Sequence, residues 1–251
     1  RIYSSIIRQN IISMGIKKII AVASAKGGVG KSTICANLAY RFSLESNVGI
    51  LDADIYGPNQ HIIFDIQNEK PEVIDKDGKK KFIPIKSNNI AINSMGFILD
   101  KDKAAIWRGP MLSGAIKQLK ESTDWGDLDY LFIDMPPGTG DAYLTVAKDL
   151  KPDYAILVTT ESPLAIQDTL KSKTLFSTLG IPMAGFIVNM TSPSCQNCGE
   201  LLNNSAVTDI HNILQLKQLG AIPSNKKIAG FDFPETVKLF ESTYNELKII
   251  I

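Results

Sequence analysis

Residues 23–40, ASAKGGVGKSTICANLAY, combine glycines, lysines and hydroxyl side chains at a spacing that could bind phosphate. Glycines lack a Cβ atom, so a glycine-rich turn can direct successive backbone N–H groups at one anion. The segment follows the pattern G-x-x-x-x-G-K-[ST], in which the lysine contacts the β- and γ-phosphates and the hydroxyl ligates Mg²⁺. These roles fall to Lys31 and Ser32. The residues predicted to bind the ATP phosphates are Ala25, Lys26, Gly27, Gly28, Val29, Gly30, Lys31, Ser32 and Thr33.

One position departs from this pattern, because Ala25 stands where the first glycine is expected. The context still favours a phosphate loop, since an apolar run precedes the segment and a helical pattern follows it. The positive end of that helix and its unpaired N–H groups would add to the attraction for an anion. A glycine-rich turn without a ligand is the alternative interpretation.

Carboxylates for a magnesium ion and for an attacking water are expected beside such a loop. Asp134 ends the apolar run YLFID, and the PPGTG segment at 136–140 looks like a loop that senses the γ-phosphate. Asp52 and Asp54 follow a second apolar run in GILDADIYGPN. We predict that Asp134 and Asp52 lie at Mg²⁺ together with Ser32, and that Asp54 positions or activates water. Turn or capping aspartates are the alternative for Asp52 and Asp54.

Lys26 is not explained by the general pattern. With this extra lysine the segment reads K-G-G-x-G-K-[ST] and resembles the deviant Walker A motif of the MinD, ParA and nitrogenase iron protein class of ATPases. The resemblance implies that Lys26 reaches across a homodimer interface to the phosphates of the partner's nucleotide. A solvated lysine without this role is the alternative.

Asn189 closes the strand pattern GFIVNM. Its amide offers both a donor and an acceptor to the edge of an adenine ring, and the same class of ATPases has an asparagine at this place. We therefore expect Asn189 to contact the base. A strand-end asparagine whose hydrogen bonds are satisfied within the protein is the alternative.

Cys195 and Cys198 form a C-x-x-C pair in the polar segment NMTSPSCQNCGE. The spacing lets two thiolates converge on one metal, whereas a redox dithiol and inert loop cysteines are the alternatives. Tetrahedral zinc and a 4Fe–4S cluster each normally take four protein ligands, so two chains would complete one site on a two-fold axis. The third cysteine, Cys35, is expected in the core. His61 and His211 lack ligand spacing to the pair.

Six segments of the chain occur in an order that resembles the Mrp family of iron–sulfur cluster carrier ATPases. They are SAKGGVGKST, LDADIYGPN, WRGPMLSGAIKQL, DYLFIDMPPGTGD, VTTESPLAIQD and NMTSPSCQNCGE. The resemblance extends over about residues 19–234. It implies a slow, homodimeric ATPase that holds a 4Fe–4S cluster on Cys195 and Cys198. Its partners would be apo iron–sulfur proteins and cluster scaffold proteins.

Two other functions remain open at this stage. A partitioning or positioning ATPase of the MinD or ParA kind would need a basic DNA-binding surface or a basic C-terminal membrane helix, but PETVKLFESTYNELKIII is balanced in charge. A zinc-bridged P-loop scaffold would differ from the carrier in hydrolysing no ATP.

The composition gives no sign of a partner that is bound through overall charge. The 251 residues are 44% apolar and 21% charged, and the net charge of +1 gives no reason to expect nucleic acid or a membrane surface as a partner. No apolar stretch approaches the roughly 18 residues that span a bilayer. Three cysteines and the absence of a recognisable signal-peptide cleavage site lead us to expect a reducing, cytoplasmic location.

The elements that must position these residues alternate between buried strand patterns and helix patterns, which is typical of βαβ units. We predict one domain over residues 1–251, with a Rossmann-like, doubly wound, mostly parallel α/β sheet and helices on both faces. Residues 1–18 would form an N-terminal extension, and residues 65–86 a hairpin insertion centred on Asp77-Gly78. Strands are predicted at 19–24, 48–52, 90–94, 130–134, 154–159, 185–189 and 218–222. Helices are predicted at 31–44, 111–122, 142–149, 163–179 and 234–248, and a weaker one near 206–214.

Overall fold

The computed structural model describes residues 15–76, 78–98, 109–192 and 209–251. The strands are β1 Ile16–Ala23, β2 Val48–Asp52, β3 Glu72–Lys76, β4 Lys79–Ile83, β5 Ile85–Ser87, β6 Ile90–Ser94, β7 Leu128–Asp134, β8 Tyr154–Thr159, β9 Met183–Thr191 and β10 Gln218–Pro223. The helices are α1 Lys31–Ser43, α2 Gln60–Ile63, α3 Gly109–Ser122, α4 Asp141–Leu150, α5 Pro163–Thr178, α6 Ile210–Leu214, α7 Lys226–Ala229, α8 Phe233–Thr236 and α9 Glu241–Ile250. Short 3-10 turns occupy Met95–Phe97 and Val237–Phe240.

Within these residues, eight strands form one sheet in the order β10-β9-β8-β1-β7-β2-β6-β5. Neighbouring strands are parallel except at the edge, where β5 pairs with β6 in the antiparallel sense. The sheet separates two apolar layers, and β1 shows why: Ile20 and Val22 face one layer, whereas Ala21 and Ala23 face the other. Strands that are buried on both faces read as continuous apolar runs. The predicted mostly parallel, doubly wound sheet is confirmed.

The topology places the carboxyl ends of three adjacent strands at one edge of the sheet. The strand β1 lies beside β7, which lies beside β2, and all three run in parallel. In this register Asp134 is paired with Val22 on one side and with Asp52 on the other. Residues that are far apart in the sequence therefore meet beside the loop that follows β1.

The antiparallel pair β3–β4 lies within the segment 65–86, for which a hairpin was predicted. Gly78 in its turn has φ 72°, a left-handed conformation that glycine adopts without strain. Asp77, the other residue of the predicted turn, lies outside the described residues. The edge strand β5, which follows this pair, was not predicted.

The single helix predicted for 234–248 is wrong, because this segment is divided into α8, a 3-10 turn and α9. The Thr236 hydroxyl at the end of α8 donates to the Asn37 side-chain oxygen at 2.9 Å and also lies 2.9 Å from the Asp232 carbonyl, which attaches this turn to α1. The tighter turn that follows brings Phe240 into the core, fully buried. The C-terminal segment is thus helical throughout residues 233–250, with a 3-10 turn in its middle, and it packs along α1.

A second anchor of the C-terminal segment is Arg41, whose side chain is buried on α1. Its guanidinium donates to both Glu241 oxygens at 2.6 and 2.9 Å and to Glu45 at 2.9 Å, and it lies 3.7 Å from the centre of the Tyr244 ring. Hydrogen bonds from Lys248, Tyr244 and Arg41 lower the pKa of Glu45 from 4.5 to about 2. These contacts hold α9 against the helix that follows the phosphate loop.

We expect Arg41→Ala to lower the free energy of unfolding by about 1–2 kcal/mol, because it removes charge-assisted hydrogen bonds and the contact with the Tyr244 ring. Chemical denaturation measures this change. The matched control is Lys171→Ala, which breaks an exposed ion pair with Asp168 and should change stability by less than about 0.5 kcal/mol. Equal losses in the two variants would contradict the anchoring role.

The same anchor should be sensitive to acid. Glu45 has a lower pKa in the folded protein than in the unfolded chain, so its contribution is fully present above the ordinary pKa and is lost as the pH falls toward about 2. The stability difference between the parent protein and Arg41→Ala should therefore shrink below about pH 4.5.

Candidate phosphate-binding site

The loop at residues 24–30 connects the end of β1 to the start of α1, as the motif requires. Gly28 and Gly30 have φ values of 81° and 83°, which are left-handed conformations that strain any residue with a side chain. A Cβ atom at Gly30 would also overlap the side-chain amide of Asn189. Gly30 cannot cap α1 with a side chain, so the N–H groups of the first helical turn are left for an anion.

Ala25 fits the loop without strain, since it is not among the described residues with positive φ. The departure from the glycine pattern therefore requires no change in the backbone. The loop lines a cleft of about 310 Å³ together with residues from the segments that follow β2, β7 and α7. Its lining outside the loop and the first turn of α1 consists of Asp54, Asn59, Ile62, Ile63, Pro137 and Phe231.

Lys31 is buried at the base of this cleft. Its ammonium donates to Oδ1 of Asp134 and lies 3.3 Å from the Ser32 hydroxyl and 4.0 Å from Oδ2 of Asp54. Burial by itself would lower the pKa of Lys31, but the charge of Asp134, the hydrogen bond to it and the charge of Asp54 outweigh this effect and raise the pKa. The lysine is therefore a firmly charged cation among carboxylates.

The Ser32 hydroxyl and Oδ1 of Asp134 thus converge on one cation, the ammonium of Lys31. These are two of the three groups that the sequence analysis assigns to Mg²⁺. Oxygen atoms of hydroxyl and carboxylate groups are the ligands that Mg²⁺ prefers. The donor chemistry of the described residues therefore fits a magnesium ion bound with nucleotide phosphates.

Gln60, which the sequence analysis did not identify, connects both of these groups. Its Nε2 donates to Oδ2 of Asp134 at 2.8 Å and to the backbone carbonyl of Ser32 at 3.0 Å. The side chain is fully buried. No motif marks this glutamine, because it belongs to the short helix α2 and reaches the site only through the packing of α2 against α1.

Asp52 is fully buried, and its carboxylate organises the segment that carries Asp54. It accepts hydrogen bonds from the backbone N–H groups of Asp54, Asn59 and Gln60 at 3.0 to 3.2 Å and from the Ser94 hydroxyl at 3.0 Å. Burial and the charge of Asp134 raise the pKa of Asp52 to about 7. Asp52 is thus beside Asp134, and its direct contact with Mg²⁺ stays a prediction.

Asp54 and Lys26 both line the cleft. Oδ1 of Asp54 accepts a hydrogen bond from the Gly57 N–H at 3.1 Å, which holds the carboxylate near Lys31. Burial raises the pKa of Asp54, and the charge of Lys31 opposes this effect. Lys26 is exposed, and its backbone carbonyl accepts a hydrogen bond from the Ser24 hydroxyl at 3.1 Å.

Asn189 is buried at the end of β9 and contacts the phosphate loop directly. Its Nδ2 donates to the Val29 carbonyl at 2.9 Å, so one donor of the amide is committed to the loop. The next residue, Met190, has a left-handed φ of 55°. Asn189 therefore supports the backbone of the loop, and its expected contact with adenine stays a prediction.

Cys195 and Cys198 lie outside the described residues. The last described residue before them, Ser192, donates its backbone N–H and its hydroxyl to Oε2 of Glu161 at 3.3 and 3.4 Å. Cys35 is fully buried on α1, which confirms its expected place in the core. In the part of the chain that the structure describes, no group of three or more His, Cys, Asp and Glu side chains could hold a metal ion.

None of the described helices is both long enough and apolar enough to cross a membrane.

Two curated proteins are similar to most of this chain. An iron–sulfur cluster carrier protein of Pseudomonas fragi is 48% identical over 186 residues, which are 73% of this chain and 64% of that protein. Its counterpart in Escherichia coli strain K12 is 45% identical over 74% of this chain and 50% of its own length. The chain thus spans between half and two thirds of the length of these two relatives.

A solved structure has the same fold. It is a nucleotide-binding protein of Archaeoglobus fulgidus in complex with ADP, and it has a TM-score of 0.74 at 32% identity, covering 92% of this chain and 91% of its own. Residues 15–244 match a family model named ParA, which is described as NUBPL iron-transfer P-loop NTPase. Because that match includes the phosphate loop, the carboxylates beside it and nearly all of the sheet, the chain belongs to this family of iron-transfer P-loop NTPases.

Proposed function

We propose that this protein is a homodimeric ATPase that binds an iron–sulfur cluster and transfers it to apo-proteins. The observation that carries the proposal is the position of β9. At its end Asn189 contacts the phosphate loop, and Cys195 follows only six residues later in the chain. A nucleotide site and a pair of thiolates are therefore connected by a few residues, and two similar proteins bear the name of cluster carriers.

When a nucleotide binds, the ammonium of Lys31 would leave the carboxylate of Asp134 and contact the phosphates instead. The ammonium is held by Asp134 in the structure, and the phosphates of ATP offer a competing anion at the loop. Ser32 and Asp134, with Asp52 behind them, are the residues that would hold Mg²⁺, which neutralises phosphate charge when it is bound. Asp54, held by the Gly57 N–H group, would orient the attacking water.

The homodimer is supported by the face that surrounds the cleft. Lys26 is exposed there, where it could reach a second nucleotide. Large apolar side chains are also exposed near the carboxyl ends of the strands: Tyr56, Ile62 and Leu164 follow strands, and Met190 lies in the last residues of β9. Apolar groups clustered around one face are typical of an interaction surface, and a two-fold dimer would pair this face with itself.

The cluster would be cargo held jointly by two chains. Two thiolates from each chain supply the four ligands that a 4Fe–4S cluster requires. ATP binding and hydrolysis would alter the contacts between the two chains and so change the exposure of a cluster between them. The recipients are apo iron–sulfur proteins, and cluster scaffold proteins would supply the cargo.

We expect Lys31→Met to abolish ATP binding measured by calorimetry, because it removes the buried cation at the phosphate end of the cleft. It should also lower the free energy of unfolding by about 3 kcal/mol, since Asp134 stays buried without that cation. Lys171→Ala again serves as the control. An unchanged affinity for ATP in Lys31→Met would contradict the assignment of the site.

The role of Lys26 can be tested by mixing variants. Lys26→Ala should bind ATP but hydrolyse it slowly, because its proposed target lies in the partner chain. Asp54→Ala should not hydrolyse the ATP bound to its own chain, because it lacks the carboxylate proposed to orient the attacking water. A heterodimer of the two variants places both defects in one composite site and leaves the other intact, so mixed chains should regain part of the activity, about half per heterodimer. Absence of any recovery although heterodimers form would refute the proposed action across the interface.

The cysteines can be tested by anaerobic reconstitution, followed by iron and sulfide analysis and a visible absorption spectrum. Cys195→Ser or Cys198→Ser should lose the cluster and retain ATP binding, whereas the matched control Cys35→Ser should retain both. One cluster per dimer is the expected stoichiometry. A full cluster in Cys195→Ser would refute the bridging site, and a colourless protein with one zinc per dimer would overturn the carrier function.

A further inference from the structure

We infer that Gln60 is a positioning residue for the magnesium end of the nucleotide site, where it holds Ser32 and Asp134 at a fixed separation. The inference rests on the proposed function only in requiring that Mg²⁺ and ATP bind at the phosphate loop. Gln60 contacts neither the reacting atoms nor the cleft, so its action would be transmitted through the two residues it connects.

The contacts of Gln60 join three elements. Its Nε2 donates to the Ser32 carbonyl on α1 at 3.0 Å and to Oδ2 of Asp134 on β7 at 2.8 Å. Its backbone N–H donates to Oδ2 of Asp52 on β2 at 3.0 Å. A displacement of the Gln60 amide would therefore move Ser32, near the start of α1, relative to the carboxylate of Asp134.

The orientation of this amide follows from its surroundings. Nε2 meets two acceptors, so a reversed amide would direct its oxygen at the Ser32 carbonyl and at the carboxylate of Asp134. In the present orientation Oε1 is buried and has no hydrogen-bond partner among the described residues. An unpaired buried oxygen is unfavourable, and an apolar side chain of similar shape would avoid it. What the glutamine supplies, and such a side chain cannot, is the pair of donor contacts from Nε2.

The two oxygens of Asp134 have separate partners. Oδ1 accepts from Lys31, whose ammonium also contacts the Ser32 hydroxyl, and Oδ2 accepts from Gln60. If Lys31 turns to the phosphates, the hydrogen bond from Gln60 remains and keeps the carboxylate plane in place. Oδ1 and the Ser32 hydroxyl, which both contact the ammonium of Lys31 in the structure, would then stay arranged around one cation position. Residues that orient metal-holding groups in this way strongly affect metal affinity.

The position of α2 does not depend on the amide. Asp52 accepts the backbone N–H groups of Asn59 and Gln60, and the neighbouring Ile63 and Phe64 are buried in the core. Gln60→Met keeps the length of the side chain and removes the donor. It should therefore fold with α2 in place and lose only the connection between Ser32 and Asp134.

The test measures binding of a fluorescent ATP analogue to the full chain, first in EDTA and then with increasing Mg²⁺. For Gln60→Met we expect the half-saturating Mg²⁺ concentration to rise by about tenfold. The affinity for the analogue in EDTA should change by less than about twofold, because the phosphate loop and Lys31 are unaltered. The matched control is Gln67→Met, which alters an exposed glutamine bonded to Asp65 and should behave as the parent protein.

A double-mutant cycle separates positioning from a general loss of structure. In an Asp134→Asn background, Gln60→Met should have no further effect on the Mg²⁺ midpoint, because Gln60 acts through Asp134. If Gln60→Met does not unfold cooperatively, Gln60→Asn carries the test, since its amide is one methylene too short to reach both acceptors. It should shift the midpoint in the same direction.

An unchanged Mg²⁺ midpoint in a folded Gln60 variant would overturn the inference. So would an equal loss of affinity with and without Mg²⁺, which indicates a damaged phosphate loop. Both results leave the proposed function intact, because the parent protein still binds Mg²⁺ and ATP. A parent protein that binds no nucleotide at any Mg²⁺ concentration would instead overturn the proposed function and this inference together.

Discussion

The nucleotide site depends on one buried cation, the ammonium of Lys31. Three carboxylates lie around it, those of Asp134, Asp52 and Asp54, and the first two are fully buried. Burying carboxylates together is unfavourable unless a cation compensates them. In the structure Lys31 supplies that charge, and in the proposed complex Mg²⁺ would supply it while Lys31 contacts phosphate. In the proposed complex one cation would therefore replace another beside carboxylates that the sheet brings together.

The sheet creates this concentration of negative charge through strand order. Asp134 and Asp52 are register partners at the ends of β7 and β2, and the phosphate loop leaves the adjacent strand β1. Parallel strands present their carboxyl ends at one edge, where open α/β sheets bind ligands. The loop after β2 then returns over this edge, and Asp52 holds it there through three backbone N–H groups.

The helix after the loop is anchored from the opposite end of the chain. The side chain of Asn37 donates to the Thr33 carbonyl in the first turn of α1 and accepts from Thr236 on α8. Arg41, one turn further, binds Glu241 on α9. These contacts attach α8 and α9 to successive turns of α1. Lys31 and Ser32 are the first two residues of the helix that these contacts hold in place.

The sequence by itself determined the features that are written in contiguous residues. The period of apolar residues predicts the parallel strands and most helices, and the spacing from Ala25 to Thr33 predicts a phosphate loop because its chemistry is local. Only the tertiary structure decided which distant residues join that loop. Gln60 reaches Asp134 across 74 positions of the chain, and Asn189 reaches Val29 across 160. Such contacts follow from which strands are neighbours and how a short helix packs, and no local pattern encodes either property.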